Sequence, residues 1–193
     1  MEDTVLLKAL KGIAPLSEAL SQYIYDHVSH HFFAKGSQMP YIKPIYNMVY
    51  FIECGLVCGV QFKPDKKRTL WFGHEQTFIV PGLLAPNINF TDSFEFLMPT
   101  VLVGMEIEAI LSATEIYPEL KLLGMTILDQ YISDLMNRDL LLRLPSELRY
   151  AAAFAQYPQY FVDSNNDHLA SYLNISKRHF ARLKREFNQQ KPK

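Results

Sequence analysis

Apolar residues recur at helical spacing at the start of the chain. Val5, Leu6, Ala9 and Leu10, then Leu16, Ala19, Leu20, Tyr23 and Ile24, predict two helices over residues 4–26, broken between Gly12 and Pro15. Ser17 and Glu18 stand where the second helix would start. From His27 the period shortens. Aromatic and β-branched runs over residues 27–33, 46–53, 56–62, 69–73 and 77–80 predict five strands. Residues 94–98 and 100–105 form a further β region, expected to pair with itself. Gly55 is expected to close a hairpin after Ile52 and Glu53, and Pro64-Asp65-Lys66-Lys67 to close another. Strands at this spacing imply a small antiparallel barrel or jelly roll.

Helical periodicity then returns. Residues 106–113 predict a short helix, and Pro118 opens a long one running to about Arg138. Leu120, Ile127, Leu128, Tyr131 and Leu135 line one side of it, and Leu122, Met125, Ile132, Met136 and Leu140 much of the other. The apolar arc covers roughly two thirds of the circumference, wider than the ~100° stripe that one core occupies. Such a helix needs a second surface to pack on, either the same helix of another subunit or a second domain of its own chain. Residues 138–145 read as a hinge, dividing the chain into 1–138 and 139–193. Pro145-Ser146-Glu147 starts another helix that ends near Tyr157-Pro158, and residues 159–166 lead to the last part of the chain.

Two short helices joined by a tight turn account for Asn166–Phe187. Leu169, Ala170 and Leu173 share one side of the first, and small Ala170 leaves room for a crossing helix. Asn174 tolerates the left-handed conformation of a helix end, Ile175 plugs the gap between the helices, and Ser176 caps the second. Phe180, Leu183 and Phe187 then face inward, and Arg178, Ala181, Arg182 and Arg185 lie opposite, flanked by Lys177 and Lys184. This is the pattern of a helix-turn-helix, whose second helix enters the major groove. Arginine there bonds guanine bidentately, and other cations hold phosphates.

Charge sharpens that reading. Formal net charge is -1 over 193 residues, yet residues 177–193 carry seven cations (Lys177, Arg178, Arg182, Lys184, Arg185, Lys191, Lys193) against one anion, Glu186. The basic excess is therefore local. Hydrophobic content of 49% and charge of 20% belong to a globular chain and exclude a disordered one. The acidic start, the short apolar run behind it and the lack of any stretch of membrane-spanning length lead us to expect a cytoplasmic protein.

Other chemistry is sparse. Two cysteines, Cys54 and Cys58, are too few for a four-cysteine metal site or a cysteine-ligated cluster and are expected to be free, buried thiols. His27, His30 and His31 lack a carboxylate or cysteine at a ligating offset and are expected to be ordinary histidines. A metal enzyme on a cupin-like barrel would need converging His and Glu ligands on its strands, a spacing that the sequence does not display. A protein-interaction module, with the cations merely solvating the last helix, is the other alternative to DNA binding.

The order of helices, β barrel, long helix, hinge and terminal helix-turn-helix resembles the Crp/Fnr family of bacterial transcription regulators. The resemblance covers nearly the whole chain and is closest over residues 146–150, 167–175 and 176–183, with Trp71-Phe72 and residues 94–105 as landmarks in the β region. It implies an α+β fold: an antiparallel β-barrel or jelly roll of the cyclic-nucleotide-binding type, a long dimerisation helix and a helical DNA-binding domain. The implied partners are double-stranded DNA, a second copy of the chain, RNA polymerase and a small-molecule effector of unknown identity. The implied DNA-facing residues are Ser176, Lys177, Arg178, Ala181, Arg182, Lys184 and Arg185, and no step is catalytic.

The sequence also departs from that family. Relatives grip a cyclic phosphate with a short helix after a Gly-Glu motif and an arginine. The corresponding stretch here, Gly73-His74-Glu75 through Ser93, lies in a span between Arg68 and Arg138 that holds no arginine, and Lys121 as its only lysine. A buried anion needs opposing charge or several donors. Cyclic AMP is therefore not expected, nor is a resident cofactor. His74, Glu75, Thr91 and Ser93 are the polar groups expected to line any ligand pocket. The Arg-Glu pair and later Arg that read DNA in well-known relatives are replaced by Lys177, Arg178 and Arg182, which predicts a different target. The sequence ends soon after Phe187, leaving no room for the β wing that usually follows, so fewer phosphate contacts are expected, and with them weaker binding or greater reliance on dimerisation.

Overall fold

The computed structural model of the chain describes residues 3–40, 47–80 and 92–189. The two expected N-terminal helices are α1 (Val5–Ile13) and α2 (Glu18–His27). The Thr4 side chain accepts from the Leu7 amide at 3.2 Å, and Ser17 accepts from Leu20 at 3.2 Å, each satisfying one of the amides that a helix start leaves without an internal partner. Helix α2 runs one residue into the expected first strand, because His27 stacks on Tyr23 one turn earlier with ring centroids 3.9 Å apart.

Among the described residues eight strands follow: β1 (Ser29–Phe33), β2 (Gln38–Pro40), β3 (Met48–Cys54), β4 (Leu56–Lys63), β5 (Lys66–His74), β6 (Phe78–Ile79), β7 (Ser93–Phe96) and β8 (Thr100–Glu106). Among the described residues they form two antiparallel four-stranded sheets, in the orders β1-β8-β3-β6 and β2-β7-β4-β5. Short β2 was not legible in the sequence.

Two expected pairings are corrected by this arrangement. Gly55 does not close a hairpin: β3 belongs to the first sheet and β4 to the second, so Gly55 turns a corner between sheets. Its φ of 107° suits glycine, and a Cβ there would lie 2.4 Å from Thr100 Oγ1 and 2.7 Å from the Pro99 carbonyl. The β7 and β8 runs likewise do not pair with each other but lie in different sheets. Turn residues mark a change of direction, and only packing decides whether the chain returns beside itself or crosses over. The Pro64-Asp65 turn is the hairpin expected, with Lys63 opposite Lys66.

Between the sheets, Tyr50, Ile52, Val57, Phe94, Phe96 and Leu102 form a buried core, with Phe33, Met39 and Trp71 packed against it. Gly59 lies opposite Trp71 on the paired strand, and a Cβ there would come within 2.2 Å of the indole. The ring therefore occupies the space that any side chain at residue 59 would need.

Six helices follow among the described residues: α3 (Ile107–Ala113), α4 (Glu119–Arg143), α5 (Ser146–Gln156), α6 (Pro158–Asp163), α7 (Asn166–Tyr172) and α8 (Lys177–Gln189). Helix α4 extends past its expected end, through most of the stretch read as a hinge. Leu141 is buried against the C-terminal helices, and Arg143 pairs with Asp139 at 2.8 Å, which holds the last turns helical. The break comes at Leu144, whose backbone is extended because Pro145 follows it. Helix α6 forms most of the approach to the last two helices, starting on Pro158, where the missing amide costs nothing.

At 25 residues, α4 is roughly 37 Å long and joins the two ends of the molecule. Its N-terminal half packs Leu120, Leu123 and Ile127 with α1, α2 and the outer face of the first sheet at Phe51 and Val103. Ser17 donates to Glu119 at 2.7 Å and ties α2 to its first turn.

Replacing Gly59 with valine is expected to lower unfolding stability by about 1–3 kcal/mol through overpacking against Trp71. Gly12→Ala, where nothing lies within 4 Å, should leave stability unchanged or raise it by up to ~1 kcal/mol. Urea unfolding of both variants checks the contrast.

Candidate nucleic-acid interface

The local geometry of the expected helix-turn-helix follows from its residues. Asn165 accepts from the His168 amide at 2.9 Å and caps α7. Leu169, Ala170 and Leu173 are buried, as the helical spacing predicts. Asn174 adopts a φ of 52°, the left-handed conformation that ends α7. Ile175 packs into the gap, donating its amide to the Ala170 carbonyl at 3.0 Å. Ser176 Oγ then accepts from the His179 amide at 3.1 Å, the cap of α8.

On α8, Phe180 and Leu183 are buried and Phe187 packs against the same core, surrounded by Tyr150, Phe154 and Phe161. The opposite face is exposed at Lys177, Arg178, Ala181, Arg182 and Arg185. These five positions form a continuous strip along the outer side of α8, with Ala181 leaving a flat place between the arginines.

Not all of the expected contact residues stand in the same way. Ser176 spends its hydroxyl on the cap, and Lys177 and Lys184 bond back to Asp167 and Asn166 in the first turn of α7. Arg182 is held among Glu147 at 3.7 Å, Glu186 at 3.9 Å and His179 at 3.3 Å. The Glu147 carboxyl is held below its usual range by its own backbone amide at the start of α5, by Ser146, and to a smaller extent by His179 and Arg182. Any partner of Arg182 therefore competes with an ionised carboxylate.

Arg149 was not singled out by sequence reasoning. Its guanidinium donates to the Leu144 carbonyl at 2.8 Å and to the Leu173 carbonyl at 2.6 Å, so one side chain satisfies the ends of both α4 and α7. Arg138 adds a second link, lying 5.0 Å from the Tyr172 ring centre and donating to the Tyr172 carbonyl at 3.3 Å. Together they fix the helix-turn-helix to the end of the long helix.

The helix-turn-helix is also docked on the barrel. Helix α7 lies against β5 on the outer face of the second sheet, where Phe72 meets Tyr160 at 4.8 Å and Tyr172 at 5.1 Å between ring centroids. Ser171 Oγ accepts from the Thr69 amide at 2.8 Å. Beneath α7, Glu95 is covered: Lys67 bonds it at 2.7 Å, Gln38 at 2.8 Å and His168 Nε2 at 3.2 Å. The carboxylate only accepts, so Nε2 carries the proton and Nδ1 is left to accept, from Thr69 Oγ1 at 3.0 Å and Cys58 Sγ at 3.6 Å. Burial, with a smaller contribution from Lys67, holds the imidazole below its ordinary pKa and so neutral, against the opposing pull of Glu95 and Asp167. Burial and the Glu95 charge push the Cys58 thiol up.

The residues expected to line a ligand pocket are not gathered at one place. His74 pairs with Leu56 at one end of β4, and Ser93 with Val60 four residues further along, a separation of roughly 13 Å. His74 bonds the Glu75 carbonyl at 2.8 Å, and Ser93 is buried with its hydroxyl donated to the Met39 carbonyl at 3.1 Å. Glu75 is exposed in the β5–β6 turn, and Thr91 lies outside the described residues. His31 bonds Ser29, and His27 bonds the Tyr23 carbonyl.

Removing the aromatic contact in Phe72→Ala is expected to cost about 2–4 kcal/mol and to weaken docking of the C-terminal helices on the sheet. Limited proteolysis checks this: cleavage near Leu144-Pro145 should accelerate in the variant while the barrel fragment persists.

No family model matches the sequence, and no curated protein resembles it closely in sequence. Solved structures do share its fold. FixK2 from Bradyrhizobium japonicum superposes with a TM-score of 0.70 at 15% identity, over 84% of this chain and 85% of that one. A putative Crp/Fnr-family transcriptional regulator from Eubacterium rectale gives 0.65 at 13% identity, over 91% and 85%. A cyclic nucleotide-binding domain containing protein from Listeria monocytogenes gives 0.68 at 11%, over 97% and 92%. No helix of the described residues is long and apolar enough to cross a membrane. The two-sheet barrel, the long helix and the terminal helical domain thus have the fold of the Crp/Fnr transcription regulators and their cyclic-nucleotide-binding domains.

Proposed function

We propose that this protein is a cytoplasmic, homodimeric transcription regulator that reads double-stranded DNA with α8. The observation that carries the reading is the exposed strip Lys177, Arg178, Ala181, Arg182 and Arg185, set on a helix whose other face is anchored by Phe180 and Leu183. Arg178 and Arg182 read bases, and Lys177 and Arg185 hold phosphates. The likeness in fold to proteins described as transcriptional regulators supports it.

The second subunit packs on α4. Leu122, Met125, Ile132, Met136 and Leu140 are between 45% and 69% exposed, forming an apolar stripe at spacings of three, seven, four and four residues along residues 122–140 of the helix. Water-exposed apolar residues in such a row are stabilised by an equivalent row related by a two-fold axis. A change in the angle between the two long helices would move the recognition helices into or out of register with half-sites roughly 34 Å apart.

The barrel in this reading does not respond to cyclic AMP. The aromatic side chains Trp71, Phe94 and Phe96 fill the space between the sheets, and the span from Arg68 to Arg138 contains no arginine to balance a cyclic phosphate.

Selection of bound sequences from a random DNA pool tests the reading. A defined motif, with affinity falling steeply as salt rises, is expected. Arg178→Ala and Arg182→Ala should each cost about 1–3 kcal/mol and relax preference at one position per half-site. Absence of salt-sensitive binding to any DNA would favour the protein-interaction reading instead. For the dimer, Met125→Glu combined with Ile132→Glu is expected to yield a monomer by light scattering with the fold intact by circular dichroism.

A further inference from the structure

The buried cluster under α7 contains more than a docking contact needs. Cys58 of β4, Glu95 of β7 and His168 of α7 each offer a ligand atom, and these atoms all lie within 4.8 Å of one another. They are 0%, 5% and 5% exposed. Among the described residues this is the one group of three such side chains brought together. We propose that Cys58, Glu95 and His168 bind a divalent transition-metal ion of the zinc class at the junction between the barrel and the helix-turn-helix.

The donor set selects the metal. Thiolate, imidazole and carboxylate together suit zinc or cobalt, whereas magnesium and calcium take oxygen donors. Donors sharing one tetrahedral ion lie roughly 3.5 Å apart. Cys58 Sγ and His168 Nδ1 are already 3.6 Å apart, and the triad as a whole needs to contract by about 1 Å from its outer limit of 4.8 Å. A supporting partner is in place, with Gln38 donating to Glu95 Oε1 at 2.8 Å, and Thr69 Oγ1, 3.0 Å from His168 Nδ1, would give up that hydrogen bond to supply a fourth donor.

Charge balance explains how such a site can be metal-free or loaded without rearranging the fold. Metal-free, the Glu95 carboxylate is neutralised by the Lys67 ammonium at 2.7 Å, and the Cys58 thiol bonds His168 Nδ1 at 3.6 Å. When the ion enters, the thiol proton leaves to solvent and Lys67 withdraws. One carboxylate and one thiolate then balance the two positive charges, and the pocket is neutral in both states. Lys67 is able to withdraw because its side chain is 40% exposed at the hairpin end of β5, which also makes it the entry point. The coordinate bonds would join two strands of the barrel to the first helix of the helix-turn-helix. Any effect on DNA binding rests on the function proposed above; the metal site itself does not.

The experiment is a cobalt(II) titration of the full-length protein, without DNA, followed by absorption. Binding of one equivalent is expected, with a thiolate-to-cobalt charge-transfer band and the intense visible bands of a four-coordinate ion, both displaced by zinc. Cys58→Ser should abolish the charge-transfer band, Cys54→Ser should leave it unchanged, and Glu95→Gln and His168→Asn should weaken binding tenfold or more. Lys67→Ala removes the competing cation and should tighten binding severalfold, an outcome that a purely structural role for the cluster does not produce. A missing charge-transfer band, one that survives Cys58→Ser, or affinity unchanged or lowered in Lys67→Ala would each overturn the proposal. Because none of these measurements involves DNA, a protein that binds cobalt but no DNA would sink the function proposed above and leave this site standing.

Discussion

Helix α7 covers the outer face of the β2-β7-β4-β5 sheet, and the placing of the C-terminal half of the chain depends on that contact. A sheet face that met water would carry its polar residues there freely. Here the same face contributes Cys58, Thr69, Phe72 and Glu95 to a closed interface, so each polar group needs a partner from the chain itself. Glu95 receives three, from Gln38, Lys67 and His168. The aromatic contacts of Phe72 with Tyr160 and Tyr172 supply the apolar part. A mismatch in either part would leave a buried charge unpaired or an aromatic ring exposed.

That contact has consequences at both ends of the helical domain. With α7 held on the sheet by its buried side, α8 crosses it on Phe180 and Leu183 and presents its basic side outward. Arg149 and Arg138 then tie α7 to the end of α4 through carbonyls that a helix terminus leaves open. Helix α4 therefore joins three surfaces: the N-terminal helices on the first sheet, the C-terminal helices beside the second, and an exposed apolar stripe that neither covers. In the function proposed above, α4 is the element that would carry a displacement at one of these surfaces to the others.

Much of the helix-turn-helix was legible in the sequence because its signals are local. Asn174 ends a helix through its own backbone preference, Ser176 caps through an atom three residues from its partner, and the inward and outward faces of α8 follow from the helical period. The same holds for the N-terminal helices, the Pro64-Asp65 hairpin and the start of α5 at Pro145-Ser146. Longer-range decisions were less visible. Gly55 marks a turn in the sequence but not whether the next strand pairs with the last, and residues 159–163 have no apolar period long enough to announce a single-turn helix. The length of α4 depended on Leu141 being buried against helices far along the chain.

The cluster of Cys58, Glu95 and His168 lay beyond local reading for the same reason. Its members are separated by 37 and 73 positions in the sequence, and no spacing rule connects them. Glu95 alternates with Phe94 and Phe96 as an outward-facing polar residue would, and in the sequence it is indistinguishable from a solvated one. The sequence by itself determined most of the helices and strands, where the basic strip lies and which side of α8 is buried, because each follows from neighbours within a few residues. Only the tertiary structure decided which strands pair, that the outer sheet face is covered, and that a thiol, a carboxylate and an imidazole meet there. Those outcomes depend on the packing of whole elements against one another, a property that no single stretch of chain carries.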